Sequence, residues 1–216
     1  MTAHFEVRDW LIGYTDHPVA GPFDARWESG GLHLIRGENG SGKSTLGRTI
    51  AGLLPPCGGR IVSRSPGPTR FVPQDFGAAA LASLRTDQVV ASGGWEGGRE
   101  SGGGSEEVRS ALDDVGLLEF ATTRFGRLSG GQARRALIAR SIVASPTFLV
   151  LDEPTAGLDR ASIDQVAERI EALAADRERL IWVVTHQSDW LRGPLRSITA
   201  IADGVVELEP VGSPTT

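Results

Sequence analysis

The 216 residues include a single cysteine, Cys57, so no disulfide can form within the chain. That usage fits a reducing compartment. Beside Pro55-Pro56 and Gly58-Gly59, Cys57 reads as a turn residue rather than a nucleophile. No apolar run approaches the roughly 18 residues that span a bilayer, and residues 1–6 lack the basic-then-apolar pattern of a secretory leader. Neither a membrane span nor a leader is therefore expected. Positive charge is also scarce: 22 Lys and Arg stand against 27 Asp and Glu, giving a net charge of -5 and a pI near 5.4. Nucleic-acid binding through a basic face is not expected from that balance.

Glycine, by contrast, is plentiful, and its placement divides the chain. Phe5 to Trp10 predicts a strand, and so does the alternation of Phe23, Ala25 and Trp27 with polar neighbours. Leu32-His33-Leu34-Ile35 is a short apolar run that ends at Gly37. A helix follows from Lys43, with Leu46, Ile50 and Leu53 at helical spacing. Ile61-Val62 and Arg70-Phe71-Val72 predict two more strands. Residues 76–145 lack strong strand patterns but carry helical ones over 105–115 and 132–143, so they read as an inserted helical subdomain. The strand–helix rhythm resumes with Phe148 to Leu151, a helix over 162–175, Leu180 to Val184, Ile198 to Ile201 and Val205 to Leu208. The expectation is one α/β domain over 1–216. Residues 1–75 and 146–216 would build a core with a mostly parallel sheet and an antiparallel β edge, and 76–145 the helical subdomain. Ser92 to Ser105 is half glycine and reads as a flexible surface loop, with a partner-contact loop anchored by Trp95 as the alternative.

The run Gly37-Glu38-Asn39-Gly40-Ser41-Gly42-Lys43-Ser44-Thr45 lies between a predicted strand and a predicted helix. Its glycines permit a tight turn that aims backbone N–H groups at phosphate oxygens, and the helix N-terminus adds a partial positive charge. Lys43 supplies a full charge to the β- and γ-phosphates, and Ser44 a hydroxyl to Mg²⁺. Thr45 is a further candidate phosphate contact. The chain thus carries a P-loop. Asp152 ends an apolar strand, where a buried carboxylate needs a cation, and Mg²⁺ suits it. Glu153, next in sequence, is placed to polarise an attacking water as general base. Ser129-Gly130-Gly131 offers a hydroxyl and N–H groups ahead of the helix from Gln132, a second place where a phosphate could sit.

Together these runs, in the order Gly37–Thr45, Leu128-Ser129-Gly130-Gly131-Gln132 and Phe148–Pro154, resemble the ATP-binding cassette (ABC) ATPases over nearly the whole chain. The resemblance implies a P-loop NTPase core and a role for Ser129, Gly130, Gly131 and Gln132 on ATP held by a second subunit's P-loop. It also implies that Asp159 crosses the dimer interface, that Gln74 reaches the metal and the attacking water, and that His186 contacts the γ-phosphate. Tyr14 lies where the family stacks an aromatic on adenine. A packing role for it stays open, with Trp10 as another candidate. ATP and Mg²⁺ are the implied ligands, a second cassette subunit the implied partner. Permease subunits on separate chains would supply the membrane part and hold this chain at the inner face of the cell membrane, with a groove over 75–90 receiving a short permease helix. Residues 84–93 resemble the corresponding segment of metal and siderophore importers. A soluble ABC ATPase of iron–sulfur assembly is the alternative. Repair members carry long coiled coils and translation members two tandem cassettes, neither of which this chain has. The Ser-Gly-Gly-Gln turn disfavours a metabolic P-loop kinase.

Overall fold

The computed structural model describes residues 3–15, 17–74, 77–96, 99–100, 104–176 and 178–211. In chain order the strands and helices begin with β1 (His4–Tyr14), β2 (His17–Glu28), β3 (Leu32–Gly37), α1 (Lys43–Ile50), β4 (Gly58–Arg64) and β5 (Thr69–Val72). There follow α2 (Ala78–Leu81), α3 (Thr86–Ala91), β6 (Trp95–Glu96), β7 (Arg99–Glu100), α4 (Ser105–Asp114) and α5 (Gly130–Ile142). The last are β8 (Phe148–Asp152), α6 (Arg160–Ala174), β9 (Leu180–Val184), β10 (Leu195–Ala202) and β11 (Val205–Pro210). The chain divides into two compact units, residues 1–71 with 147–153 and 170–216, and residues 72–146 with 154–169.

The first unit holds two sheets. One has six strands in the order β11-β10-β3-β9-β8-β5. Within it β10, β3, β9 and β8 run parallel, and β11 adds an antiparallel edge. β8 (FLVLD) and β9 (LIWVV) are buried along their whole length, as central parallel strands must be. The other is an antiparallel sheet, β2-β1-β4. β2 alternates buried Phe23, Ala25 and Trp27 with exposed neighbours, so only one of its faces meets the core. That face carries an aromatic cluster. Phe5 stacks on Trp27 at 5.8 Å, Trp182 stacks on Phe148 at 6.1 Å, and Phe5 meets Trp182 edge-on. Burying each such side chain stabilises the fold by about 1.5–3 kcal/mol.

His33 enters this core from β3. Its Nε2 lies 2.9 Å from the Glu28 carbonyl oxygen and must donate to it. Nδ1, at 2.8 Å from Ser197 Oγ, therefore accepts. Burial pushes the imidazole down to about 4, and nearby Arg196 also disfavours its charged form.

The second unit is helical. α3, α4 and α5 pack on one another around buried Val89, Val90, Leu112, Ala136 and Leu137. Arg135 reaches back from α5 and donates to the Val115 carbonyl at 2.8 Å, satisfying the end of α4.

Three local expectations differ from the structure. α1 stops at Ile50 and Leu53 is 64% exposed, because Gly52 takes a positive φ of 75° that ends the helix. Trp10 is fully buried between Phe5 and Phe23, so its ring has no face to offer an adenine. Within the glycine-rich stretch, β6 and β7 pair antiparallel as a two-residue hairpin. Residues 97–98, 101–103 and the Trp95 side chain, on which the contact-loop alternative rests, lie outside the described residues, as does Asp75.

Candidate functional site

β3 delivers Gly37 to the C-terminal edge of the parallel sheet and α1 starts at Lys43, so residues 38–42 must turn back sharply. The turn depends on glycine. A Cβ at Gly37 would collide with the Ile201 carbonyl oxygen. One at Gly42, whose φ is 104°, would lie 2.6 Å from Val19 Cγ1. Gly37, Glu38, Asn39, Gly40 and Ser41 line an open cleft of about 870 Å³, together with His186 and residues 200–204. Asn39 and Gly40 are exposed at its mouth. Inside the turn the Ser41 hydroxyl is buried and has no hydrogen-bond partner. Lys43 is buried at the first position of α1, and its ammonium donates to the Glu38 carbonyl at 2.7 Å. Thr45 is buried one residue beyond Ser44, and its carbonyl accepts from Thr49 Oγ1 at 2.8 Å.

Asp152, at the end of β8, is 2% exposed, and Ser44 Oγ donates to its Oδ1 at 3.1 Å. A hydroxyl and a carboxylate oxygen side by side make a hard-oxygen pair of the kind Mg²⁺ prefers. Among the described residues no group of three or more His, Cys, Asp or Glu could hold a metal unaided. The pair therefore fits a cation that completes its shell with phosphate oxygens and water.

Glu153 follows with a left-handed φ of 46°, uncommon for a residue with a side chain. Its N–H donates to the Val184 carbonyl at 2.8 Å, which holds the turn against β9. Its side chain is fastened from the strand next door. Oε1 accepts from the His186 N–H at 3.1 Å and from Nδ1 at 2.8 Å, and Oε2 lies 3.1 Å from Thr185 Oγ1, whose one hydrogen is shared with the Gln187 carbonyl at 2.9 Å. Thr185 was not among the residues singled out from the sequence. The signal was available, in a threonine that follows the unbroken apolar run Leu180–Val184 at a strand end.

Tyr14, at the tip of the β1–β2 hairpin, is 51% exposed, and its ring is open to solvent.

The other sequence-selected residues gather in the helical unit. Ser129 caps α5: its Oγ accepts from the Gln132 N–H at 3.3 Å, and Gln132 Oε1 accepts from the Ser129 N–H at 2.9 Å. Gly130 and Gly131 make the first turn, and a Cβ on Gly131 would collide with Ser162 Oγ at the start of α6. Asp159 occupies the equivalent place on α6. Its Oδ1 accepts from the Ser162 N–H at 2.8 Å, and this bond holds its carboxyl below the usual range. Two helix N-termini thus lie together, each opened by an exposed polar cap. Gln74 is exposed just beyond β5, and its carbonyl is approached by Arg134.

An α/β sheet with a glycine turn between β3 and α1, and an acidic pair at the end of β8, defines a P-loop NTPase. Comparison with known proteins narrows the class. The ABC transporter family matches residues 22–156. The "Probable metal transport system ATP-binding protein" of Chlamydia muridarum is 33% identical over 211 residues, covering 90% of this chain and 85% of that protein. The zinc transport system ATP-binding protein AdcC of Streptococcus pneumoniae is 30% identical over 198 residues, covering 86% and 84%. The solved structure of cbiO1 from Clostridium perfringens, part of the ABC transporter complex cbiONQ, superposes with a TM-score of 0.78 at 26% identity over 95% of this chain and 87% of that one. The chain belongs to the ABC transporter family, as one of its ATP-binding subunits.

Proposed function

We propose that this chain hydrolyses ATP to ADP and phosphate between two copies of itself and thereby drives import through permease subunits on separate chains. The observation that carries the reading is the buried, partnerless Ser41 hydroxyl inside a turn that admits no side chain at Gly37 or Gly42, two residues from Lys43. Because this hydroxyl belongs to a residue that lines the open cleft, an acceptor from outside the chain can complete it. The triphosphate supplies that acceptor, with Gly40 and the N-terminus of α1 aiming N–H groups at the same oxygens and Lys43 exchanging Glu38 for phosphate. Thr45 adds a further contact, and Tyr14 stacks on the adenine.

Mg²⁺, held by Ser44 and Asp152 and assisted by Gln74, would offset the charge of the phosphates when bound. Glu153 takes a proton from water as its oxygen bonds to the γ-phosphorus and the bond to the β-phosphate oxygen breaks. Thr185 and His186 keep that carboxylate in place, and His186 also meets the γ-phosphate. Ser129, Gly130, Gly131 and Gln132 close over the nucleotide of the opposite subunit, with Asp159 at the interface.

Relatives named for metal and zinc transport make a metal ion the first candidate cargo. No helix among the described residues is long and apolar enough to cross a membrane, and attachment to the inner face of the membrane would come through the permease. The test is phosphate release by the purified chain with Mg²⁺ and with a chelator. Turnover that ignores chelation, or that survives Asp152→Asn at the parent rate, would sink the assignment.

A further inference from the structure

Arg134 is 4% exposed on the second turn of α5, where a buried guanidinium is costly unless its donors are matched. Its Nε donates to the Pro154 carbonyl at 3.0 Å. One of its terminal nitrogens lies 2.6 Å from the Pro73 carbonyl and 3.4 Å from that of Gln74. These acceptors lie 20 to 61 residues away in sequence. They belong to the residue that follows Glu153 and to the segment that carries Gln74. Both prolines lack an N–H, so their carbonyls are the backbone groups by which these turns can be held. The planar fork of an arginine holds two separated carbonyls at once, whereas a lysine ammonium is a point donor on a flexible stem. Packing alone would be met by leucine or methionine at this buried position. The sequence offers no cue to this role, since Arg134-Arg135 reads as an ordinary charged pair on a helix.

We propose that Arg134 is a positioning residue. It ties the turn that carries Gln74 and the turn that begins at Pro154, the residue after Glu153, to α5, the helix that Ser129 opens. The inference rests on the reading of the chain as an ATPase. Arg134 is buried against backbone carbonyls, so its loss is expected to fall on turnover rather than on nucleotide binding. A displacement of about 1 Å in a reacting group lowers turnover by as much as about 100-fold.

The experiment compares the parent chain with Arg134→Lys and Arg134→Gln. It measures kcat and KM for MgATP, the Kd of a fluorescent ATP analogue, and thermal unfolding. The expected result is a kcat at least about 10-fold lower in both variants, a Kd within about 2-fold of the parent, and a larger kcat loss for Gln than for Lys. Parent-like kcat in Arg134→Lys and Arg134→Gln would overturn the inference while leaving the ATPase reading intact. Parallel loss of kcat, Kd and fold in both variants would assign Arg134 to stability alone and overturn it as well. A parent chain that neither binds nor hydrolyses ATP removes the reading on which the inference stands.

Discussion

His186 and Glu153 are joined twice: the backbone N–H and the ring Nδ1 of the histidine both point at Oε1 of the carboxylate, at 3.1 and 2.8 Å. The double contact fixes the tautomer. Nδ1 carries the proton it gives to Glu153, which leaves Nε2 for the cleft that His186 lines. The two side chains are therefore one mechanical unit, built across the ends of β8 and β9, and on the proposed function they serve as base and γ-phosphate contact.

Removal of the base should stop hydrolysis and spare both phosphate-binding surfaces. Glu153→Gln is expected to form an ATP-dependent dimer, seen as a doubled mass by size exclusion with light scattering. A variant that stays monomeric at saturating ATP would contradict the shared site.

Lys43→Ala and Ser129→Arg separate the two surfaces. The first removes the buried cation of the P-loop, and ATP affinity and turnover should both collapse. The second changes an exposed helix cap, so the monomer should bind ATP at parent affinity while turnover is lost. Equal loss of monomer binding in the two variants would show that Ser129 serves its own site.

Thr185→Val keeps shape and removes the hydroxyl that is shared between Glu153 Oε2 and the Gln187 carbonyl and that accepts from the Gln187 N–H. A buried carboxylate deprived of one hydrogen bond costs about 1–3 kcal/mol. The expected outcome is a lower unfolding midpoint and a kcat reduced by roughly 10-fold with little change in ATP affinity. The measurement is urea unfolding beside steady-state kinetics.

His33 gives the fold a pH dependence of known sign. Its folded-state value of about 4 lies below the ordinary 6.5. The unfolded chain thus binds the proton more readily, and stability is lost as pH falls from 6.5 towards 4. At pH 5 this amounts to about 2 kcal/mol relative to neutral pH. His33→Gln should flatten this part of the profile, read as the difference between urea midpoints at pH 7 and pH 5. An unchanged profile would mean that the imidazole is protonated in place.

The strands and the P-loop could be read from the sequence because each rests on local physics: apolar runs for β3, β8 and β9, alternation for β2, glycines where φ must be positive. The parts that could not be read depend on distant partners. Leu53 keeps helical spacing with Leu46 and Ile50, yet Gly52 ends the helix before it. Trp10 and Tyr14 look alike as aromatic candidates near the first turn, and only the packing of Phe5 and Phe23 decides that Trp10 is core. Thr185 shows only as a threonine closing an apolar strand, and Arg134 has no pattern of its own, since its acceptors lie 20 to 61 residues away.

The left-handed backbone of Glu153 sets function against robustness. A side chain in that region costs about 1–3 kcal/mol, a penalty that glycine would not incur. Within the proposed reading, position 153 therefore sets backbone strain against the three hydrogen bonds that its carboxylate accepts from Thr185 and His186. Glu153→Gly relieves the strain but strands those donors, so its unfolding midpoint should be no higher than that of Glu153→Gln, and neither should turn over ATP.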